Sequence, residues 1–334
     1  MGLTTHPTLL VTVDGLPVSG IFFDRLVSLT ITDREGIRSD TINLVFNNAA
    51  PHVAAPRRGA RVEVTLMAGA GGSFVGAYII DRVEYECLPY RIAVKGHSAD
   101  LRAGMKTSRA RHWDNASVKD IVAEKAADHG LQAKISDAVS GHVYDWIGQQ
   151  DETDLNFLER LAKRHGALFT IKNGVLLWLE RGTGQLADGS VITAGIVSHP
   201  DIIEGSCRIT ETDVDRFATV KAYWQDRAGA ARREVIVPAD PEASGEHVLR
   251  DPFSSEAEAR AAATAAARDI TRGLVETSCA IVGRPSLMAG QPVTYAGVGP
   301  MADGRGFLTD QVTHSFTKSG GLRTTFTGKL KATS

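Results

Sequence analysis

Apolar and polar positions alternate with a period of two over most of the first hundred residues. The segments LLVTVDG, RLVSLTITD, DTINLVF, RVEVTLMA, FVGAYIIDRVEYE and YRIAVKG follow one another between positions 9 and 96, separated by Gly, Pro, Asn and Asp. Such spacing puts alternate side chains on one face and predicts consecutive antiparallel strands joined by turns. The period then changes. Val118, Ile121, Val122, Lys125 and Ala126 recur at helical spacing, Ser117 with Asp120 reads as a capping box, and Gly130 supplies the stop. A second helix opens near Asp151 or Thr153, carries Leu155, Leu158, Leu161 and Ala162 on one stripe and ends at Gly166; ALFTIKNGVLLWLE then predicts a hairpin turning at Asn173 and Gly174. A Gly-rich connector over residues 181–195 leads to further strands, IIEGSCRITE, FATVKAYWQD and ARREVIVP. Between these and the last strands, SSEAEARAAATAAARDITRG predicts a helix capped by Ser255 and Glu258, because alanine loses least on entering a helix. Its row of small side chains lets another backbone approach closely.

The end of the chain repeats the pattern of its beginning. Gly59, Arg61, Val62 and Val64 lead through a Gly-rich turn into FVGAYIIDRVEYE, and YRIAVK ends at Gly96; Gly290, Pro292, Val293 and Tyr295 lead through another into GFLTDQVTHSF, and LRTTFT ends at Gly328. Superposing Asp81 on Asp310 places Ile79 on Leu308, Val83 on Val312, Tyr90 on Leu322, Val94 on Phe326 and Gly96 on Gly328. Each copy reads strand, turn, long strand, turn, strand. The expected fold class is α+β, with two similar antiparallel β-barrel-like modules, at residues 1–105 and 183–334, flanking an α/β domain of two helices and a hairpin at 106–182. The second module carries a helical insertion near 254–273. Asp81 and Asp310 sit at equivalent points on apolar strand faces. Since an interior carboxylate is costly unless paired, each is expected to meet a basic or hydroxyl partner at a module seam, the alternative being that each emerges into solvent at a strand bend.

Composition narrows the function classes. A hydrophobic share of 43% and a charged share of 23% fit a soluble globular protein. No uninterrupted apolar run approaches the roughly 20 residues of a membrane-spanning helix, and the start lacks the basic region of a secretory signal, so stable membrane insertion is not expected. With 37 basic against 39 acidic residues the net charge is −2, without the basic excess that phosphate binding requires. The densest basic stretch, Lys106, Arg109, Arg111 and His112, reads as a solvated connector. Cys87, Cys207 and Cys279 are odd in number and far apart, which suggests a reducing compartment and neither a disulfide framework nor a zinc knuckle.

Candidate chemistry is sparse. Gly96, His97, Ser98 and Ala99 imitate a nucleophile elbow, but that motif belongs to a parallel sheet with crossover helices and this strand ends an antiparallel meander. No histidine pair has the i, i+4 spacing of zinc hydrolases. His129 and His165 each precede a helix-ending glycine, where an imidazolium suits the negative end of the helix dipole. AGAGGS at 68–73 joins two strands and lacks the Lys of a phosphate loop. No catalytic, cofactor-binding or metal-ligating residue is assigned, and no cofactor is expected. The competing reading is a hydrolase, either a serine hydrolase around Ser98 or a cell-wall hydrolase using unplaced carboxylates.

The segment DETDLNFLERLAKRHGALFTIKNGVLLWLE, residues 151–180, resembles the signature of the phage late control D family, the tail baseplate hub proteins of contractile-tailed phages. The same helix and hairpin occur in the N-terminal part of the type VI secretion spike protein. GHSADLRAGMKTSRARHW, SVKDIVAEKAADHGL, the Ala-rich helix and GRPSLMAGQPV agree in order, so the resemblance covers nearly the whole chain. It implies a homotrimer whose two modules per chain form a ring of six around a channel, a symmetry adaptor between the six-fold tail tube and the three-fold spike. The implied partners are a trimeric tail spike protein, expected as a separate subunit, the tail tube or tube-initiator proteins and other baseplate proteins, with the tape measure protein as a further candidate. DNA passes through without specific binding. The implied location is the virion tail baseplate, assembled in the bacterial host cytoplasm, and the resemblance supplies no active site. Rapid DNA passage further suggests a channel lined by Thr, Ser, Gln, Asn, Asp and Glu, because each Lys or Arg on a phosphate adds retarding affinity.

Overall fold

The computed structural model describes residues 8–331, apart from 19, 38, 69–70, 99–102, 173, 214–215 and 227–228. Asn173 of the expected hairpin turn and Ala99 of the elbow lie outside the described residues. The chain is mostly β, with four helices among the described residues.

The first part comprises β1 (Thr8–Val13), β2 (Leu16–Pro17), the short helix α1 (Gly20–Arg25), β3 (Leu26–Arg34), β4 (Thr41–Asn47), β5 (Arg61–Ala68), β6 (Gly71–Cys87) and β7 (Tyr90–Ser98). Burial alternates along β3, β4, β5 and β7 as the period of two requires. Leu29, Ile31, Ile42, Leu44, Val62, Val64, Ile92 and Val94 fill one core.

A second core belongs to the middle of the chain: β8 (Ser108–Ser117), α2 (Val118–Asp128), β9 (Gln132–Ile135), β10 (Val143–Thr153), α3 (Asp154–His165), β11 (Ala167–Lys172) and β12 (Val175–Glu180). Ser117 and Asp120 form the capping box of α2, and Gly166, at φ 63°, ends α3 in the left-handed conformation that glycine adopts without strain. Lys172 pairs with Val175, which is the register of a two-residue hairpin loop. Arg109, Arg111 and His112 of the basic stretch read as a connector lie instead on a strand, β8, paired antiparallel with β10. It has no alternating pattern because Trp113, stacked on Phe157 at 5.0 Å between centroids, is its buried residue.

The remainder comprises β13 (Gly195–Ser198), β14 (Arg208–Glu211), β15 (Thr219–Asp226), β16 (Ala231–Pro238), β17 (Glu246–Val248), α4 (Glu256–Gly273), β18 (Val275–Val282), β19 (Pro292–Ala296), β20 (Gly306–Thr317) and β21 (Gly321–Leu330). Strands β15–β17 form a small sheet against which α4 packs Ala259, Ala262, Ala263 and Ala267. The small side chains of α4 do admit a close neighbour, since a Cβ at Gly166 would stand 3.0 Å from Ala265 Cβ.

The two expected barrel-like modules appear as a repeated strand order within one sheet. No sheet among the described residues is closed, and both ends of the chain share one thirteen-stranded sheet in the order β14-β18-β21-β20-β3-β4-β7-β6-β5-β1-β2, with β19 also on β20 and β13 on β19. The first half runs β3-β4-β7-β6-β5-β1 and the second β14-β18-β21-β20-β19-β13, the same order position for position. One pairing differs: β13 lies parallel to β19, whereas β1 lies antiparallel to β5. The halves fuse because β20 is longer than its own half uses. Its residues 306–308 carry β19, and its residues 311–317 take β3 from the first half on the same edge.

Candidate functional site at the joint between the two halves

Asp81 and Asp310 are both bulge residues. On β6, Ile80 pairs with Gly96 and Arg82 with Lys95, leaving Asp81 as the extra residue; on β20, Thr309 pairs with Gly328 and Gln311 with Thr327, leaving Asp310. A β-bulge bends its strand and sharpens the twist, so each marks where a long strand leaves one neighbour for another. Asp310 lies at the joint itself. Its carbonyl accepts the Glu35 N–H at 2.9 Å, and its carboxylate accepts the hydroxyl of Thr327. Asp81, half exposed, meets His97 Nδ1 at 2.9 Å.

Polar groups converge around the joint. Lys172 of the middle unit reaches Asp33 and Asp40 of the first half, while Asp33 Oδ2 accepts the N–H of Ala289, in the second half, at 2.8 Å. One carboxylate thus ties three parts of the chain together. Burial holds the Asp40 carboxyl up at about 6, against the opposing pull of Lys172. Burial also disfavours the Lys172 ammonium, but Asp33 and Asp40 more than offset it, and its pKa stays above the ordinary value. Glu35 is half-buried, its shielded Oε1 has no hydrogen-bond partner among the described residues, and loss of water around it raises its pKa against the pull of Arg272 and Arg181. Asp33, Glu35, Asp40, Lys172 and Ala289 line a cleft of about 290 Å³.

The joint has two unfilled counterparts. Beyond Ile79, β6 carries β7 on one edge and, among the described residues, no strand on the other. That bare edge is the counterpart of the edge of β20 that β3 covers. Likewise β14, the counterpart of β3, carries only β18 among the described residues. The sheet therefore ends in two edges shaped like the two partners of its own internal joint.

Ser98 also borders the cleft, 5% exposed, with its N–H on the carbonyl of Asp40 at 2.8 Å. His97 is its neighbour along β7, so the two side chains leave opposite faces of the sheet. The His97 ring is bound to Asp81 and the Lys172 ammonium to two carboxylates, so neither is poised to deprotonate Ser98. The two histidines sit at helix ends as expected, His129 as the C-cap of α2 and His165 in the last turn of α3, but each ring has a partner of its own. His129 Nε2 meets the buried carboxylate of Asp154 at 2.8 Å. His165 meets the Tyr144 hydroxyl at 2.8 Å; burial, then His142 beside it, lowers it to about 4, so it is neutral at physiological pH.

The model of the phage tail baseplate hub (GPD) family matches residues 41–320, which include both bulges, the middle unit and the β20 side of the internal joint. The chain belongs to this family. It is similar to the probable baseplate hub protein of Escherichia phage 186, 26% identical over 361 residues, with 96% of this chain and 92% of that protein covered. In fold it is similar to the 43 kDa tail protein of prophage MuSo2 from Shewanella oneidensis, with a TM-score of 0.71 at 16% identity over 96% of this chain and 98% of that one. It also resembles the E. coli c3393 protein, a component of the type VI secretion system described as structurally similar to T4 tail proteins gp27 and gp5. There the TM-score is 0.59 at 13% identity, over 97% of this chain and 77% of that one. A family of structural virion components fits a site built of sheet edges and buried ion pairs. No helix among the described residues is long and apolar enough to cross a membrane.

Proposed function

We propose that three copies of this chain close into the hub ring of a contractile tail, joining the six-fold tube to the three-fold spike without catalysing a reaction. The observation that carries this reading is the pair of bare edges. β6 beyond its bulge and β14 are counterparts of β20 and β3, which already pair inside the chain, so the same joint repeated between copies adds positions of the same kind. A heterologous contact of this sort gives a closed ring when the rotation closes. Two similar modules per chain make six positions from three chains, which matches a six-fold tube on one face and a three-fold spike on the other. In this arrangement Asp310 marks the seam within a chain and Asp81 the seam between chains.

The sheet face turned away from the cores lines the channel in this reading. Thr30, Thr32, Thr313, Ser315, Thr325 and Thr327 alternate with core residues there and supply the expected hydroxyl surface. Basic residues are also present, beyond the neutral or acidic lining expected from sequence, but several are held by carboxylates: Lys95 by Glu84 at 3.0 Å, Lys329 by Glu276 at 3.2 Å and Arg91 by Glu86 at 3.9 Å. Paired cations release fewer counterions from DNA, so passage stays fast. The hub assembles in the host cytoplasm with its spike, tube and baseplate partners.

Native mass spectrometry of this chain in complex with its spike tests the proposal. Three copies per complex are expected; two or four would overturn it.

A further inference from the structure

Resting on the ring proposed above, the internal joint also fixes how one copy meets the next, residue by residue. Inside the chain Phe316 faces Leu29, Ser315 faces Thr30 and His314 faces Ile31. Counted from the two bulges, Cys87, Glu86 and Tyr85 on β6 are the counterparts of Phe316, Ser315 and His314. Counted from Gly96 and Gly328 through β4 and β18, Arg208 and Ile209 on β14 are the counterparts of Thr30 and Ile31, and Cys207, one place before the strand, is that of Leu29. We propose that β6 of one copy pairs antiparallel with β14 of the next in this register, setting Cys87 against Cys207 so that each joint forms an oxidisable thiol clasp.

Independent observations agree with the register. It places Glu86 directly opposite Arg208, both exposed in the single chain, and opposite charges across a strand pair are favourable. A slip of one residue loses that pairing and turns the β14 side chains to the wrong face. It also covers apolar surface that is bare in the single chain: Tyr85 is 63% exposed, whereas its counterpart His314, under β3, is 2% exposed. Finally it gathers three cysteines that lie far apart in sequence. Cys207 already packs on the core that contains Cys279. Burial, with Cys207 beside it, pushes the Cys279 thiol up to about 12, so Cys279 stays a buried thiol and the reactive pair is Cys87 with Cys207.

Residues facing each other on antiparallel strands have Cα atoms about 4.5–5.5 Å apart, within the span of a disulfide. A small-molecule disulfide such as oxidised glutathione can act as the oxidant. The Cys87 and Cys207 thiols give up two protons and two electrons to form one S–S bond between copies, and the oxidant is reduced to two thiols.

The experiment treats the hub–spike complex with oxidised glutathione and compares its native mass with its mobility on a non-reducing denaturing gel. Expected are a covalent three-chain species reversed by a reductant, a Cys87–Cys207 peptide on digestion, loss of the crosslink to background in Cys87→Ser and in Cys207→Ser, and its retention in Cys279→Ser. Three copies by native mass without a crosslink, or with one that joins other cysteines, overturn the register and leave the ring standing. A complex without three copies overturns both.

Discussion

Gly96 and Gly328 stand at the same place in two separate β-bulges: a Cβ added at Gly96 would lie 2.6 Å from the carbonyl oxygen of Ile79, and one at Gly328 would lie 2.8 Å from that of Leu308. Those carbonyls belong to the residues two places before Asp81 and Asp310. In each half, then, the bulge brings backbone so close to the opposite strand that no side chain fits. Gly96→Ala and Gly328→Ala should each lower stability by about 1–3 kcal/mol, the usual cost of forcing atoms into a packed site. Thermal unfolding checks this. An unchanged midpoint in both variants would mean that the bulges widen freely.

Lys172 stands between two carboxylates that are largely shielded from water. Replacing it with Met leaves both without their cation, and breaking a buried pair in this way costs about 3–5 kcal/mol. Lys172→Met should therefore unfold at clearly lower denaturant. Adding Asp33→Asn and Asp40→Asn to that background should recover part of the loss, because neutral amides no longer need the charge. If the triple variant is no more stable than Lys172→Met alone, the ion cluster is not what holds the three parts together.

Asp40 also gives a pH signature. Burial keeps its carboxyl protonated up to about 6 in the folded chain, whereas an unfolded Asp titrates near 3.9. Between those values the folded state binds more protons than the unfolded one, so the contribution of this group to stability falls as pH rises from about 4 to about 6. Unfolding midpoints measured across that range should show the decline, and Asp40→Asn should flatten it. A variant with the same slope as the parent would assign the effect elsewhere.

The strands of both halves and the equivalence of Asp81 with Asp310 were legible because side-chain alternation and turn residues are local. The bulges were not, since an extra residue shows only against a partner strand. Nor was the fusion of the halves, because β3 and β20 are separated by most of the chain and their edges carry no sequence mark. β8 escaped because only Trp113 on it is buried. The helix-end positions of His129 and His165 were legible, but their partners Asp154 and Tyr144, and the neutral state of His165, were not, because those partners lie elsewhere along the chain. The free edges of β6 and β14 became visible as a site only once the order of strands was known.

Asp154 is the hub of the middle unit. Its buried carboxylate accepts from Lys125 at 2.6 Å, His129 at 2.8 Å and Gln149 at 2.9 Å. Burial disfavours its charge, yet these donors outweigh that and hold its pKa below the ordinary carboxylate range. Such stability is present above the unfolded value and lost as pH falls through the folded one, so the middle unit should weaken at acid pH below about 4. Asp154→Ala strands a fully buried Lys125 and should cost about 3–5 kcal/mol at neutral pH. Hydrogen exchange of the α2 and α3 amides reads this locally; protection unchanged from the parent would place the stability of this unit in its aromatic core instead.

Arg208 and Glu86 offer the most direct test of the proposed joint between copies, because neither has a role inside its own core and both are exposed in the single chain. If they face one another across β14 and β6, Arg208→Glu turns an attractive pair into a repulsive one, a change of about 1 kcal/mol for opposed residues on paired strands. The proposed ring would contain the joint once per copy, so the effect should accumulate in the assembly while the stability of the single chain hardly moves. Adding salt should narrow the gap between parent and variant, since exposed charges are screened. The reversed pair, Arg208→Glu with Glu86→Arg, restores attraction and should reassemble at nearly the parent concentration, measured by light scattering on dilution. Arg208→Glu alone could weaken assembly through some other neighbour, but only a partner facing it explains rescue by Glu86→Arg. A double variant that assembles no better than the single one would separate the two strands and remove the register on which the thiol clasp depends.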